Sequence, residues 1–243
     1  MALPLLFARA ALAVPFFPTQ TAYSVDGGPV GVVTGDVDAQ SEVDLVSANE
    51  AGEDGPSLSF LLNHGDGSFA PEERLDLSAG RYILHALASA DFNGDGVADL
   101  AVAVDDISVF PSRTTVLIYR NDGVGQYLDP VAYALGGFFP QFIRAADVNG
   151  DGVLDLVVCH SRSDTGQGVV SVLLGQGTSA APTGSFALAS ETSVGTSPTT
   201  VAIADVDGDG HADLLVGDPD EGAVFVLYGN AGPGLIDPPL KLV

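Results

Sequence analysis

Short apolar runs rich in Val, Leu, Ile and Ala alternate with turns rich in Gly, Asp, Asn and Pro along the whole chain. Runs of this length, bounded by turn residues, read as β-strands. No long amphipathic heptad pattern interrupts them, so the fold class is all-β. The runs fall into a repeat. Strands are predicted at 30–34, 83–88, 142–146 and 200–204, each followed by an acidic loop. A second strand follows the loop, for instance at 100–104, 156–159 and 214–216. A third is predicted at 57–62, 115–119, 169–174 and 223–228, then a Gly-rich turn, then a fourth strand opening on an aromatic: Phe69, Tyr127 or Phe186. Four short strands per repeat is the unit of a β-propeller blade.

The acidic loops carry the chemistry. Three read Asp91-Phe-Asn93-Gly-Asp95-Gly-Val97-Ala-Asp99, Asp147-Val-Asn149-Gly-Asp151-Gly-Val153-Leu-Asp155 and Asp205-Val-Asp207-Gly-Asp209-Gly-His211-Ala-Asp213, at intervals of 56 and 58 residues. Oxygen-bearing side chains stand at positions one, three, five and nine. Positions four and six are glycine, where a tight turn calls for positive φ. Position seven (Val97, Val153, His211) would offer its backbone carbonyl. Several oxygens around one point suit calcium better than magnesium, which keeps more of its waters. Zinc is disfavoured because neither Cys nor His recurs with the loop. An EF-hand would need Glu at position twelve and flanking helices, but that position is Val102, Val158 and Val216, and the flanks read as strands.

A fourth copy lies upstream, Asp36-Val-Asp38-Ala-Gln40-Ser-Glu-Val-Asp44, 55 residues before Asp91. It keeps Asp at one, three and nine, has Gln40 at five, and lacks both glycines. Asp36, Asp38, Gln40 and Asp44 are therefore a weak metal set, and a loop without glycine should be strained or reshaped. A decayed loop that still turns the chain is the competing reading.

Aligning on the loops gives these boundaries: a partial blade at 1–29, a blade with the degenerate loop at 30–82, and further blades at 83–140, 141–198 and 199–243. Phe17 lies 19 residues before Asp36, and Leu3-Pro-Leu-Leu-Phe7 falls where a third strand belongs. The apolar N-terminus thus reads as the end of a preceding blade and makes no convincing signal peptide. About four and a half blades imply a piece of a larger propeller, because closure is how propellers protect sheet edges.

Charge narrows the function. The 243 residues carry 32 acids against 8 bases, a net charge of −24, with one lysine, Lys241. Nucleic acid and anionic membrane surfaces require the opposite sign, and no direct membrane insertion is expected. Cys159, the single cysteine, allows no internal disulfide and reads as a small buried hydrophobe. Cys159 and His160 adjoin on a predicted strand and so point to opposite faces, a poor nucleophile–base pair. His64 lies in a turn. His85 and Arg144 lie on predicted first strands, which line a propeller's channel. No catalytic constellation emerges, and no enzyme activity is expected.

The repeat resembles the FG-GAP repeat, also called the VCBS-type repeat, of integrin-α-like propellers. The three Asp-x-Asn/Asp-Gly-Asp-Gly-x-x-Asp-Leu loops carry the resemblance, with Leu215-Val-Gly-Asp-Pro219 standing where the family has a Gly-Ala-Pro element. Earlier blades depart there, reading Val104-Asp-Asp106 and Cys159-His-Ser161. The resemblance implies a seven-bladed propeller with Ca2+ in loops between the first two strands of each blade. It also implies an extracellular or cell-surface adhesion module whose partner is a protein or a glycan. A structural spacer, or the non-catalytic propeller of a larger secreted enzyme, is the alternative.

Overall fold

The computed structural model describes residues 21–52, 55–77, 81–161, 166–230 and 240–242. The partial blade expected at the N-terminus falls largely outside these residues. The rest forms four antiparallel four-stranded sheets, each built from consecutive strands. The first holds β1 (Pro29–Gly35), β2 (Asp44–Gly52), β3 (Gly55–Leu61) and β4 (Glu73–Asp76); the second holds β5 (Tyr82–Ala90), β6 (Asp99–Asp106), β7 (Arg113–Tyr119) and β8 (Val131–Ala134). The third holds β9 (Phe138–Ala146), β10 (Asp155–Ser161), β11 (Gly168–Thr178) and β12 (Ala181–Ser193); the fourth holds β13 (Thr200–Ala204), β14 (Asp213–Asp218), β15 (Ala223–Leu227) and β16 (Leu240–Leu242). These are blades of a propeller. The first strands of neighbouring blades contact one another, β1 with β5, β5 with β9 and β9 with β13.

The second strands are buried on both faces, which explains why they read as unbroken apolar runs instead of alternating ones. Side-chain alternation sends successive residues to opposite neighbours. In β6, Leu100, Val102 and Val104 pack towards the first blade, while Ala101 and Ala103 pack towards the third. In β10, Leu156 and Val158 face the second blade, and Val157 and Cys159 face the fourth. Three apolar cores result, one at each blade–blade contact.

Three fourth-strand boundaries differ from the sequence reading. Phe69 and Tyr127 do not open a fourth strand. Each closes the turn before it through a single bridge, to Asn63 and Asn121, and β4 and β8 begin four residues later, at Glu73 and Val131. In the third blade the opposite holds, because β12 starts at Ala181, ahead of Phe186. Tyr127 and Phe186 mark inter-blade packing positions instead. Tyr127 stacks on Phe60, and Phe186 packs edge-on against Phe92. The expected fourth strand around Leu235 lies outside the described residues, and β16 pairs with β15 just beyond it.

Candidate metal centres

Each acidic loop joins the first strand of a blade to the second, and the three glycine-containing copies share one wiring. In the first, the position-one carboxylate receives both turn amides: Asp91 Oδ1 accepts from Gly94 N (2.6 Å) and Oδ2 from Gly96 N (2.8 Å). Asn93 Oδ1 accepts from Asp95 N, and Asp95 Oδ1 from Val97 N, both at 2.9 Å. These are successive Asx turns, in which a short polar side chain takes the place of a backbone acceptor. Asp147, Asn149 and Asp151 repeat the pattern, as do Asp205, Asp207 and Asp209. The turn requires the left-handed backbone at positions four and six, where φ is +78° and +90° in the first loop.

Position nine is different. Asp99 and Asp155 are fully buried, and both of their oxygens are used. Asp99 Oδ2 accepts from Phe92 N (2.9 Å) at the start of its own loop, and Oδ1 from Asn121 N (2.7 Å) in the turn after β7. Asp155 bridges Val148 N and Gly175 N, Asp213 bridges Val206 N and Gly229 N, and Asp44 bridges Val37 N and Asn63 N. The position-nine carboxylate is thus a clip between the loop and the far end of the third strand, present in all four copies. Each oxygen keeps a second lone pair for a cation. Burial pushes the Asp99 and Asp155 carboxyls up to about 6 against the pull of those amides, and the neighbouring loop carboxylates add to the rise. Burial likewise raises Asp44.

The sequence reading missed the role of position two. Val37, Phe92 and Val148 are buried in the three inter-blade cores, so each loop inserts one apolar side chain between its blade and the next. Val206, in the last loop, is 48% exposed. The signal was present as an apolar residue at position two in every copy.

The degenerate loop keeps the shape without the glycines. Ala39 and Ser41 take up φ +64° and +77°, Asp36 Oδ2 accepts from Ser41 N (2.9 Å), and Asp38 Oδ1 from Gln40 N (3.0 Å). The loop is therefore strained, not reshaped. Gln40 Nε2 donates to Asp38 Oδ2 (2.9 Å), as the Asn amide does to position five in the two intact loops that carry Asn at position three. Asp36 Oδ1 is buried with no hydrogen-bond partner among the described residues.

In two loops, carboxylate oxygens converge enough to hold an ion. Atoms of Asp36, Asp38 and Asp44 lie within 4.8 Å of one another, and so do those of Asp205, Asp207 and Asp209. In the other two loops Asn93 and Asn149 stand at position three, which replaces one carboxylate with an amide oxygen. The two clusters are close enough to hold a metal ion, and every donor in them is oxygen.

The other sequence candidates fall elsewhere. Cys159 packs towards the fourth blade, whereas His160 Nε2 lies 2.7 Å from Ser171 Oγ, so the two side chains do not meet. Burial pushes the Cys159 thiol up to about 12. His85 lies 3.2 Å from Asp105, and Arg144 is exposed on β9. Among the described residues no helix is long and apolar enough to cross a membrane.

Blades of four antiparallel strands, each with an Asp-rich loop between its first two strands, define a propeller-type repeat protein. The model of the FG-GAP-like repeat matches residues 36–102 and 104–158, and that of the FG-GAP repeat matches 197–234. The chain belongs to the FG-GAP repeat family. It is also similar to integrin alpha-4 of Xenopus laevis, 26% identical over 149 residues, which cover 57% of this chain and 14% of that protein. The chain therefore spans a small part of that relative's length. Among solved structures, the periplasmic gluconolactonase PpgL of Pseudomonas aeruginosa is similar with a TM-score of 0.47 and 16% identity, over 87% of this chain and 69% of that one.

Proposed function

We propose that this chain is a calcium-stabilised, non-catalytic propeller module that binds a protein or glycan ligand outside the cell. The observation that carries the calcium part is the common wiring of the three intact loops. In each, backbone amides fix the carboxylates of positions one and five before any ion arrives. The donor set suits a hard cation that takes six to eight oxygens. It comprises Asp91, Asn93, Asp95 and Asp99 with the Val97 carbonyl, and the corresponding residues of the other two loops. Without a cation the arrangement is unfavourable. In the last intact loop the carboxylates of Asp205, Asp207 and Asp209 lie within 4.8 Å of one another and repel by about 1 kcal/mol per pair even at the dielectric of water, and a divalent ion reverses that sign. Asp36, Asp38, Gln40 and Asp44 form a weaker fourth site, where the ion would satisfy the partnerless Asp36 oxygen.

The binding role is supported by membership of the FG-GAP family and by the similarity to an integrin alpha chain. The strongly acidic composition disfavours nucleic acid. The non-catalytic reading is supported by the inert, buried thiol of Cys159 and by its separation from His160.

Thermal melting with millimolar calcium and with chelator, accompanied by calorimetric titration, tests the reading. A ligand at a hundredfold excess over its dissociation constant adds about 2.7 kcal/mol per site, worth several degrees in a protein of this size. Asp95→Ala should remove part of the calcium-dependent rise and leave the melt in chelator nearly unchanged. No calcium-dependent rise in the parent protein, or an equal loss in both conditions for the variant, rejects the ligand assignment.

A further inference from the structure

The residue six places before each loop's first Asp is Val30, His85, Gln141 and Thr199 in the four blades. In the first three blades the pairing of the innermost strand slips beside this position. Val30 is passed over between Pro29 and Gly31, and His85 between Leu84 and Ala86; the β9–β10 register shifts between Cys159 and Ser161. A bulge re-aims the side chain it carries, and bulges gather beside functional sites. Here the three bulged positions converge. One cavity of about 190 Å3 is lined by Val30, Val32, His85, Leu87, Gln141 and Phe142, contributed by the innermost strands of three successive blades. Val32 is 67% exposed, so the cavity faces solvent.

Its main polar group is held in place from behind. His85 Nε2 lies 3.2 Å from Asp105 Oδ2, and Asp105 is 3% exposed. The other Asp105 oxygen accepts from Phe139 N at 2.9 Å. A carboxylate only accepts, so Nε2 carries the proton, and in that tautomer Nδ1 is the acceptor. Phe139 packs edge-on to the imidazole, with ring centroids 6.1 Å apart. It holds φ +54°, a strained backbone of the kind that persists where surrounding structure fixes a site.

We propose that this axial cavity is a binding subsite for a phenolic side chain, a tyrosine presented by a partner polypeptide. The volume is below the roughly 300–1,000 Å3 of whole-ligand pockets, so it takes one side chain. The walls of Val, Leu and Phe suit an aromatic ring. The Nδ1 acceptor requires a donor at the ring's tip, and the Gln141 amide can serve the same hydroxyl. A carboxylate or phosphate is opposed by Asp105 behind the imidazole and by the net charge of −24. An ammonium would lose its hydration against apolar walls, and the Asp105 carboxylate behind the imidazole is already engaged by His85 Nε2 and Phe139 N. Tyrosine joins an apolar body to one polar tip, which is why it is enriched at interfaces. This deepens the binding-module reading and rests on it. Calcium-dependent melting tests that reading with no phenol present, so the two can fail separately.

The test titrates N-acetyl-tyrosinamide into the calcium-loaded chain and follows the His85 ring nitrogens by long-range 1H–15N correlation. The expected result is a proton on Nε2, a saturable shift at Nδ1 with a millimolar midpoint, and binding about tenfold weaker for N-acetyl-phenylalaninamide, the ratio one lost hydrogen bond gives. His85→Leu should abolish binding, and its melting curve, lowered by the loss of the Asp105 partner, establishes that it is folded at the titration temperature. A tyrosine-containing peptide that binds more tightly than the free amide places the source on a polypeptide; a peptide that binds no better overturns that part. Equal binding of the Tyr and Phe probes, tighter binding of N-acetyl-lysinamide, or undiminished binding by a folded His85→Leu overturns the proposal. The comparison of probes on the parent protein decides the matter even if the variant does not fold.

Discussion

Replacing Ala39 and Ser41 by glycine should stabilise the protein in the absence of metal. Both residues hold the left-handed backbone, at φ +64° and +77°. For a residue with a Cβ that conformation costs about 1–2 kcal/mol, while glycine gives back about 0.5–1 kcal/mol through the entropy of the unfolded chain. The net gain is about 0.5–1 kcal/mol per site, or about 1–2 kcal/mol for the pair. At roughly 2–4 °C per kcal/mol for a chain of this length, the double variant should melt about 2–8 °C higher in chelator. The mirror experiment is Gly96→Ala in an intact loop. Gly96 has φ +90° and nothing within 4 Å of where a Cβ would stand, so its loss is purely conformational. It should lower the melting temperature by an amount similar to one of the gains. Calorimetry of the parent, the double variant and Gly96→Ala under identical chelation makes the comparison. A double variant that melts no higher than the parent refutes the claim that the degenerate loop is strained, and a neutral Gly96→Ala refutes the backbone argument itself.

Three further outcomes follow from the clips and the core. Asp99→Ala removes the acceptor for Phe92 N and Asn121 N in a buried place; at about 1.5–3 kcal/mol per charge-assisted bond it should lower the urea-unfolding free energy by about 3 kcal/mol or more, and a loss under 0.5 kcal/mol would contradict the clip. The pH dependence in chelator has a definite sign. Asp99 and Asp155 rise from an ordinary 3.8 to about 6 in the fold, so the folded state binds more protons between these values, and their contribution to stability, full below 3.8, is lost as pH rises to 6. Melting in chelator should therefore be higher at pH 5 than at pH 7.5, with a smaller slope in the Asp99→Asn, Asp155→Asn double variant. In calcium the slope should reverse, because the ion needs the carboxylates ionised, and parallel slopes in the two conditions would refute the assignment. The Cys159 thiol, buried and pushed up to about 12, should react with a thiol reagent only as fast as the protein unfolds; prompt labelling of the native protein would show that it is not in the core.

Much of the architecture could be read from the chain because two periodicities agree there. Val/Leu/Ala runs bounded by Gly and Asp predict strands, and the recurrence of Asp91, Asp147 and Asp205 predicts the blades. The fourth strands were misplaced because Phe69 and Tyr127 are apolar for a tertiary reason. Tyr127 stacks on Phe60 across a blade contact, and its hydroxyl donates to Ala98 O. A strand-opening aromatic and a packing aromatic look alike in one sequence. The same limit hid the clip. Position nine marks Asp99 as a ligand, but its bond to Asn121 N spans 22 residues and depends on where the third strand ends. The axial cavity was out of reach because the side chains at Val30, His85 and Gln141 share no chemistry. Only their place relative to the loops relates them, and the bulges that turn them inward leave no compositional mark.

The degenerate loop shows what holds these loops in shape. If metal alone demanded the left-handed turns, a loop without glycines and with Gln at position five would have relaxed into another conformation. It has not, and its neighbours explain why. Asp36 O accepts from Ala98 N of the second blade at 2.7 Å, and Val37 O accepts from Asn121 Nδ2 at 2.8 Å. The turn at Gly125 lies so close to the backbone of Asp38 that a Cβ there would stand 3.0 Å from Asp38 Cα. Val37 itself is buried in the core between the two blades. The conformation of 36–44 is therefore part of the blade–blade contact, and the strain at Ala39 and Ser41 is offset by bonds made to the next blade. An ion in an intact loop would act on the corresponding contact one blade further on. By fixing Asp91 to Asp99 it would fix Phe92 in the next core and, through Asp99, the turn that begins at Asn121. On the proposed reading, calcium binding and blade docking would be one equilibrium, and metal affinity should be read out by the stability of the whole array and not by the loop alone.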